Sequence, residues 1–222
     1  MKTFVISRKQ DAARRAALVE RLSALGIAFE LAEGVDGFAL GDAEKRRLAD
    51  FPKMRRVLRV LGDGEIGCAV SHQNVYRRMI AENVPVACVL EDDARILSSS
   101  GEAWENGLSA GVAEDKPAVK LLTDRAIGAT WAIGYVLNRA GAETMLRFNS
   151  PVFMVADCWE SVRRRGLLSV VWDDVPRVGA SGLPSVITPA GMPPHRVPLP
   201  MDFPSRLRRA FWRLRYGLGF RI

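Results

Sequence analysis

Cysteine is scarce in this sequence and histidine scarcer still. Cys68, Cys88 and Cys158 are its only cysteines, and His72 and His195 its only histidines. Three widely spaced cysteines with no Cys-x-x-Cys pair argue against a disulfide framework. They are expected to be buried thiols in a reducing compartment. So few sulfur and imidazole groups also make a zinc site an unexpected feature. No apolar run approaches the roughly 18 uncharged residues of a membrane span. Met1-Lys2-Thr3 leads straight into a strand-like segment, so no signal peptide is expected either. Internal repeats and low-complexity stretches are lacking. Acids are lacking after Asp202, where Arg206, Arg208, Arg209, Arg213, Arg215 and Arg221 supply positive charge alone. The net charge of +7 is therefore concentrated in the tail, and the body is close to neutral.

What is present suffices for one α/β domain. The chain has 222 residues, 48% of them hydrophobic, enough for a sizeable core. Residues 3–6 read as a strand. Residues 11–25 read as a helix with Leu18, Leu22 and Leu25 on one face and Gly26 at its end. Residues 27–31 suggest the next strand, and 42–50 a polar helix closed by Phe51-Pro52. A helix is expected over 71–82, followed by the most strand-like run, 86–90, which should sit centrally. Further strands are expected at 118–122, 131–137 and 167–172, with helices at 139–148 and 157–165. This alternation predicts a mostly parallel central sheet with helices on both faces. The prolines then crowd together between Pro176 and Pro204. The expected division is a catalytic domain over 1–175, a Pro-rich extended wrap over 176–205, and a basic amphipathic tail over 206–222.

Two segments carry the chemistry. Val89-Leu90-Glu91-Asp92-Asp93 ends an apolar run in three consecutive carboxylates. Their mutual repulsion is unfavourable unless a divalent cation, or a partner carrying one, neutralises it. Strand alternation would put Glu91 and Asp93 on one face and Asp92 on the other, making Glu91 and Asp93 the metal-ligand candidates. A solvated acidic turn or an N-cap is the simpler reading of the same residues. The second segment is Gly64-Glu65-Ile66-Gly67-Cys68-Ala69-Val70-Ser71-His72. Its small residues are expected just before a helix, where backbone N–H groups meet phosphate. Ser71 and His72 are candidates to bind such a ligand, although His72 also suits a core. No nucleophile-elbow motif surrounds Ser71, which argues against a hydrolase triad. Arg14 or Arg15 would neutralise a diphosphate or else lie on a solvated helix face. Asp157, within Val155-Ala156-Asp157-Cys158-Trp159, is a general base, a substrate-positioning acid or a helix cap. With Glu65 it completes the catalytic candidates.

Together these segments resemble glycosyltransferase family 25, the lipopolysaccharide galactosyltransferase type. Phe4-Val5-Ile6, residues 11–15 and Glu33-Gly34-Val35-Asp36-Gly37 resemble the family's opening strand, its Asp-Arg segment and its Val-Asp-Gly turn. Gly134-Tyr135-Val136-Leu137, Gly141-Ala142 and Asp157 resemble its later half, so the likeness runs over roughly residues 3–187. The family usually has Asn-Leu where this chain has Ile6-Ser7, and the stretch between Asp93 and Tyr135 is short. The resemblance implies a GT-A-like fold and a metal-dependent, inverting transfer. Mn²⁺ or Mg²⁺ would be held by Glu91 and Asp93, with Glu91 alternatively acting through water or holding ribose hydroxyls. The donor, UDP-galactose, would lie against Arg14, Asp36, Gly37, Ser71, His72 and Asp92, with Asp36 and Gly37 at base or ribose. The acceptor would be a lipopolysaccharide-type or other glycan or glycolipid.

The tail bears on location. Leu207, Phe211, Leu214 and Leu218 form one helical stripe flanked by arginines and Trp212, as an interfacial helix requires. A cytoplasmic protein, peripheral at the inner face of the cytoplasmic membrane, is the expectation. A helix docked on the protein's own body is the alternative. No fold motif accompanies the charge to suggest nucleic acid. A degenerate transferase-like module that binds glycan or nucleotide without turnover, and an adaptor driven by the tail, remain the competing functions.

Overall fold

The computed structural model describes residues 1–57, 59–112 and 116–187. Strand β1 (Lys2–Ser7) leads into helix α1 (Ala12–Ala24) and strand β2 (Glu30–Glu33). Helices α2 (Asp42–Leu48), α3 (Phe51–Arg56) and α4 (Asp63–Ala81) follow, then strands β3 (Val86–Glu91) and β4 (Ala94–Ile96). Helix α5 (Gly101–Glu105), strands β5 (Ala118–Leu121) and β6 (Gly134–Asn138), and helices α6 (Arg139–Asn149) and α7 (Trp159–Arg163) come next. Strands β7 (Ser169–Trp172) and β8 (Val178–Ala180) complete the described elements.

Six strands form one sheet in the order β2-β1-β3-β6-β5-β7, in which only β6 runs antiparallel to its neighbours. The expected α/β architecture is therefore found, with the 86–90 run in an interior position. Alternation along the strands divides the core between the two faces. Phe4, Ile6, Val89, Tyr135 and Leu137 pack with Val75, Tyr76 and Met79 of α4 and Met145 of α6. Val5, Cys88, Leu90 and Val136 pack on the other side with Leu18 and Leu22 of α1 and Trp104 of α5. Both faces are dry, which is why the central strands read as near-continuous apolar runs.

Several boundaries differ from those expected, each for a local reason. Gly26 adopts φ +68° at the end of α1, and the Ile27 amide still bonds the Leu22 carbonyl at 2.9 Å. Pairing with β1 therefore begins at Glu30 rather than Ile27. Phe51-Pro52 opens α3 instead of merely closing α2: proline needs no N–H donor in a first turn, and the Asp50 carboxylate caps the Lys53 amide at 2.8 Å. α4 begins eight residues before the expected position, at Asp63 rather than 71. Glu65 reaches back to accept from the Gly62 amide at 2.9 Å, so Gly64, Gly67 and Cys68 lie inside the helix. Asp157 precedes α7, whose N-cap is Cys158 without a side-chain cap bond, so the capping role is not realised.

The run from residue 176 is partly built into the domain. β8 pairs antiparallel with β4, and Val178 is 1% exposed within the core. The remainder of the Pro-rich stretch, from 188, and the whole 206–222 tail lie outside the described residues.

Candidate functional site

The chain leaves β1 to build β2 on one side of it and β3 on the other. This reversal opens a crevice beyond the carboxyl ends of β1 and β3, the usual ligand position in such sheets. A cavity of about 530 Å³ lies there. Its lining includes Arg14, Gly37, Glu65, Ser71, His72, Glu91, Asp92, Asp93 and Asp157. Nearly all the site candidates thus converge, although they come from five separate stretches of sequence.

The three consecutive acids do not point as strand alternation suggests. β3 ends at Glu91 and a turn follows. Glu91 Oε1 lies 3.2 Å from His72 Nε2. Arg14 instead spans the other two, its Nε donating to Asp92 Oδ1 at 2.8 Å and its Nη2 to Asp93 Oδ2. The same guanidinium donates to the carbonyl of Pro184, next to residues 185–187, which line the cavity. Asp93 Oδ1 is buried and has no hydrogen-bond partner among the described residues. Burial, followed by the charge of Glu91, pushes the Asp93 carboxyl up to about 6. Burial also raises Asp92, opposed by its bond to Arg14. A buried carboxylate oxygen without a partner, beside a second acid, is a fitting donor set for a hard divalent cation.

Among the other lining residues, Asp157 carries the most useful perturbation. Burial first, then Glu91, pushes its carboxyl up to about 7, with Arg59 pulling the other way. Such a group exchanges a proton near neutrality. Glu65 is differently engaged, accepting from Arg59 through Oε1 and from the Gly62 amide through Oε2. It caps and charges α4 beside the cavity rather than presenting a free carboxylate.

Three candidates prove to be built into the scaffold around the cavity. Ser71 Oγ donates to the Gly67 carbonyl at 2.7 Å and accepts from the Val35 amide at 2.8 Å. It ties α4 to the 33–37 turn. Gly37 lies in that turn so close to α4 that an added Cβ would sit 1.8 Å from the Asp63 carbonyl oxygen. Asp36 faces Arg8 and Gln10, accepting at 3.3 and 2.8 Å, and lies outside the cavity lining. Gly37→Ala is consequently expected to lower stability by about 1–3 kcal/mol. A thermal melt should show a fall of roughly 2–10 °C; an unchanged midpoint would mean that the turn yields without cost.

His72 is 1% exposed and accounts for both ring nitrogens. Nδ1 lies 2.7 Å from the Tyr135 hydroxyl, which is 3.0 Å from that of Tyr76. Its two roles, core histidine and site residue, are therefore compatible. Arg8, Arg59, Trp131 and residues 185–187 also line the cavity without having been singled out, as does Asp11, noted only as part of the 11–15 stretch. Asp11 holds Arg8 through paired bonds of 2.6 and 3.2 Å. An Asp three residues after an Arg was the available signal. Arg59 and Trp131 had none, because only the tertiary fold brings their loops here.

The family model described as "Glycosyltransferase family 25 (LPS biosynthesis protein)" matches residues 1–110. Procollagen galactosyltransferase 2 of Homo sapiens is 28% identical over 170 residues, covering 66% of this chain and 27% of the human protein. Probable inactive glycosyltransferase 25 family member 3 of Rattus norvegicus is 25% identical over 166 residues, covering 64% of this chain and 28% of the rat protein. The chain thus spans little more than a quarter of the curated relatives it matches. Among solved structures, the galactosyltransferase LgtC in complex with donor and acceptor sugar analogues superposes with a TM-score of 0.43 at 10% identity, over 77% of this chain and 73% of that one. This overlap is too loose to match residue to residue. The conclusion from the family match, which the converging 64–72 and 89–93 motifs accompany, is that residues 1–110 of this chain are similar to glycosyltransferase family 25.

Proposed function

We propose that this chain transfers a sugar from a nucleotide-sugar donor to a glycan acceptor by direct, inverting displacement in the switch-point cavity. The observation that carries this reading is the convergence of an acid titrating near neutrality, Asp157, with the Glu91-Asp92-Asp93 cradle and Arg14 in one cavity. Asp157 takes the proton of the acceptor hydroxyl as that oxygen forms its bond to the anomeric carbon. The leaving diphosphate departs towards Arg14, Arg8 and Arg59, which line the same cavity and offset its charge. Glu91 and Asp93 would hold Mn²⁺ or Mg²⁺, which supplies further neutralisation of the departing nucleoside diphosphate. Trp131, 39% exposed at the cavity wall, offers an aromatic face for a sugar ring.

UDP-galactose is the proposed donor and a lipopolysaccharide-type or other glycan or glycolipid the proposed acceptor; a galactosyltransferase among the relatives supports the choice of sugar. Incubating the full chain with UDP-galactose, Mn²⁺ and a lipooligosaccharide core tests it. Galactosylated product supports the reading, and neither transfer nor donor hydrolysis discards turnover. A relative named as probably inactive favours a second reading, a module that binds nucleotide or glycan without turnover. UDP binding without either reaction would select it.

Attachment to the inner face of the cytoplasmic membrane through residues 206–222 belongs to the same proposal. Each arginine near an anionic surface contributes about 1 kcal/mol, and the leucine stripe adds apolar burial. Full-length protein is expected to sediment with anionic vesicles, less so as salt rises, and protein lacking 206–222 to remain in solution while transferring to a soluble acceptor. Equal sedimentation of both forms would discard membrane attachment. Lost stability and lost activity on soluble acceptors would instead identify a tail docked on the domain.

A further inference from the structure

The three acids divide between two kinds of surroundings, and the Glu91 side has a composition of its own. Cys68 and His72 are one helical turn apart on α4, so both side chains leave the same face. Cys68 Sγ, a ring nitrogen of His72 and a carboxylate oxygen of Glu91 all lie within 4.8 Å of one another. Metal–ligand bonds of about 2.0–2.3 Å place tetrahedral zinc ligands roughly 3.3–3.8 Å apart, so small rotations of side chains would close this cluster. We propose that Cys68, His72 and Glu91 form a site for a soft divalent cation of the Zn²⁺ class. This site shares Glu91 with the oxygen donors proposed for Mn²⁺ or Mg²⁺ but takes its sulfur and nitrogen donors from α4, and it does not rest on the transferase reading.

Three features favour a thiophilic cation here. The donor set is one sulfur, one nitrogen and one oxygen, which suits zinc better than manganese or magnesium. The imidazole is held in place: its ring stacks on Tyr135 with centroids 5.7 Å apart, and the Tyr135 hydroxyl engages Nδ1, leaving Nε2 towards Glu91. A hydrogen bond at the far nitrogen is what orients metal-binding histidines. All three residues also line the cavity, which leaves room for a fourth ligand from solvent or substrate.

Loading the site balances in charge and protons. Without metal, Nε2 faces Glu91 at 3.2 Å and Nδ1 faces the Tyr135 hydroxyl at 2.7 Å, an arrangement suited to a proton on Nε2. Coordination through Nε2 moves the imidazole proton to Nδ1, which then donates to Tyr135; the Tyr76–Tyr135 pair accommodates this because either hydroxyl can be the donor. The Cys68 thiol gives up its proton to solvent and binds as thiolate. One thiolate and one carboxylate cancel the two charges of the cation. Because the thiol must lose its proton to bind, binding should strengthen as pH rises. Zn²⁺ at this site would also draw Glu91 away from Asp93.

Cobalt reads the site without any assay of activity. Co²⁺ titrated into chelator-treated full-length protein is expected to develop an intense near-ultraviolet thiolate-to-metal band that saturates at one equivalent and is bleached by Zn²⁺. Cys68→Ser should abolish the band, Tyr135→Phe should weaken Co²⁺ binding by about 10–100-fold, and Asp93→Asn should leave the band intact. Absence of the band in the wild type, or its persistence in Cys68→Ser, would overturn the proposal. Should Cys68→Ser fail to fold, alkylation of the wild-type protein decides. Zn²⁺ should protect Cys68 from a thiol reagent, while Cys88 and Cys158, 0% and 5% exposed, stay unreactive with or without metal. Unchanged alkylation of Cys68 under saturating Zn²⁺ would equally overturn it.

Discussion

Asp157→Asn is expected to lower turnover by about two to four orders of magnitude while donor affinity is largely kept. The asparagine side chain preserves size but cannot take a proton from the acceptor hydroxyl. The carboxyl titrates near 7 because it is buried and close to Glu91, so the rising limb of the wild-type pH–rate profile should fall near pH 7. In the variant that limb should vanish. Stability supplies an independent sign check. A folded-state value near 7, above the ordinary 3.8, means that the native protein holds this proton where the unfolded chain has lost it. The group therefore costs stability increasingly as pH rises from about 4 to about 7, and Asp157→Asn should remove that slope from the melting temperature. If the substitution instead raises the acceptor's Michaelis constant with turnover intact, Asp157 positions substrate and another group is the base.

Asp93→Asn is expected to abolish both transfer and Mn²⁺-dependent UDP binding with the fold preserved. The buried Oδ1, which has no partner among the described residues, would lose its negative charge, and with it the attraction for a hard cation. Without metal, the variant should melt about 2–6 °C higher than wild type at neutral pH, because a buried charge repelled by Glu91 has been removed. Arg14 retains Asp92 and the Pro184 carbonyl, so the 181–187 segment keeps its anchor. Near-normal turnover in Asp93→Asn would sink the metal assignment. A lowered melting temperature would mean that the Arg14–Asp93 ion pair outweighs the repulsion.

Much of this protein is determined locally and can be read directly from the sequence. The apolar run at 86–90 could only be a strand dry on both faces, and Leu18 and Leu22 could only bury one helical stripe. Those periods depend on neighbouring residues alone. The acids after Leu90 marked the site because clustered charge needs an external or internal partner wherever it lies. Helix starts were less legible. α4 begins at Asp63 because Glu65 can turn back to Gly62 and Gly67 can meet Gly37, and the second contact joins residues thirty apart in the chain. The directions of the three acids were decided only by the tertiary structure. β3 ends at Glu91, so alternation no longer governs Asp92 and Asp93; Arg14 from α1 claims those two, and His72 from α4 claims Glu91. Asp157 likewise owes its proton affinity near neutrality to burial and to the Glu91 carboxylate at the end of β3, a property no stretch of sequence carries by itself.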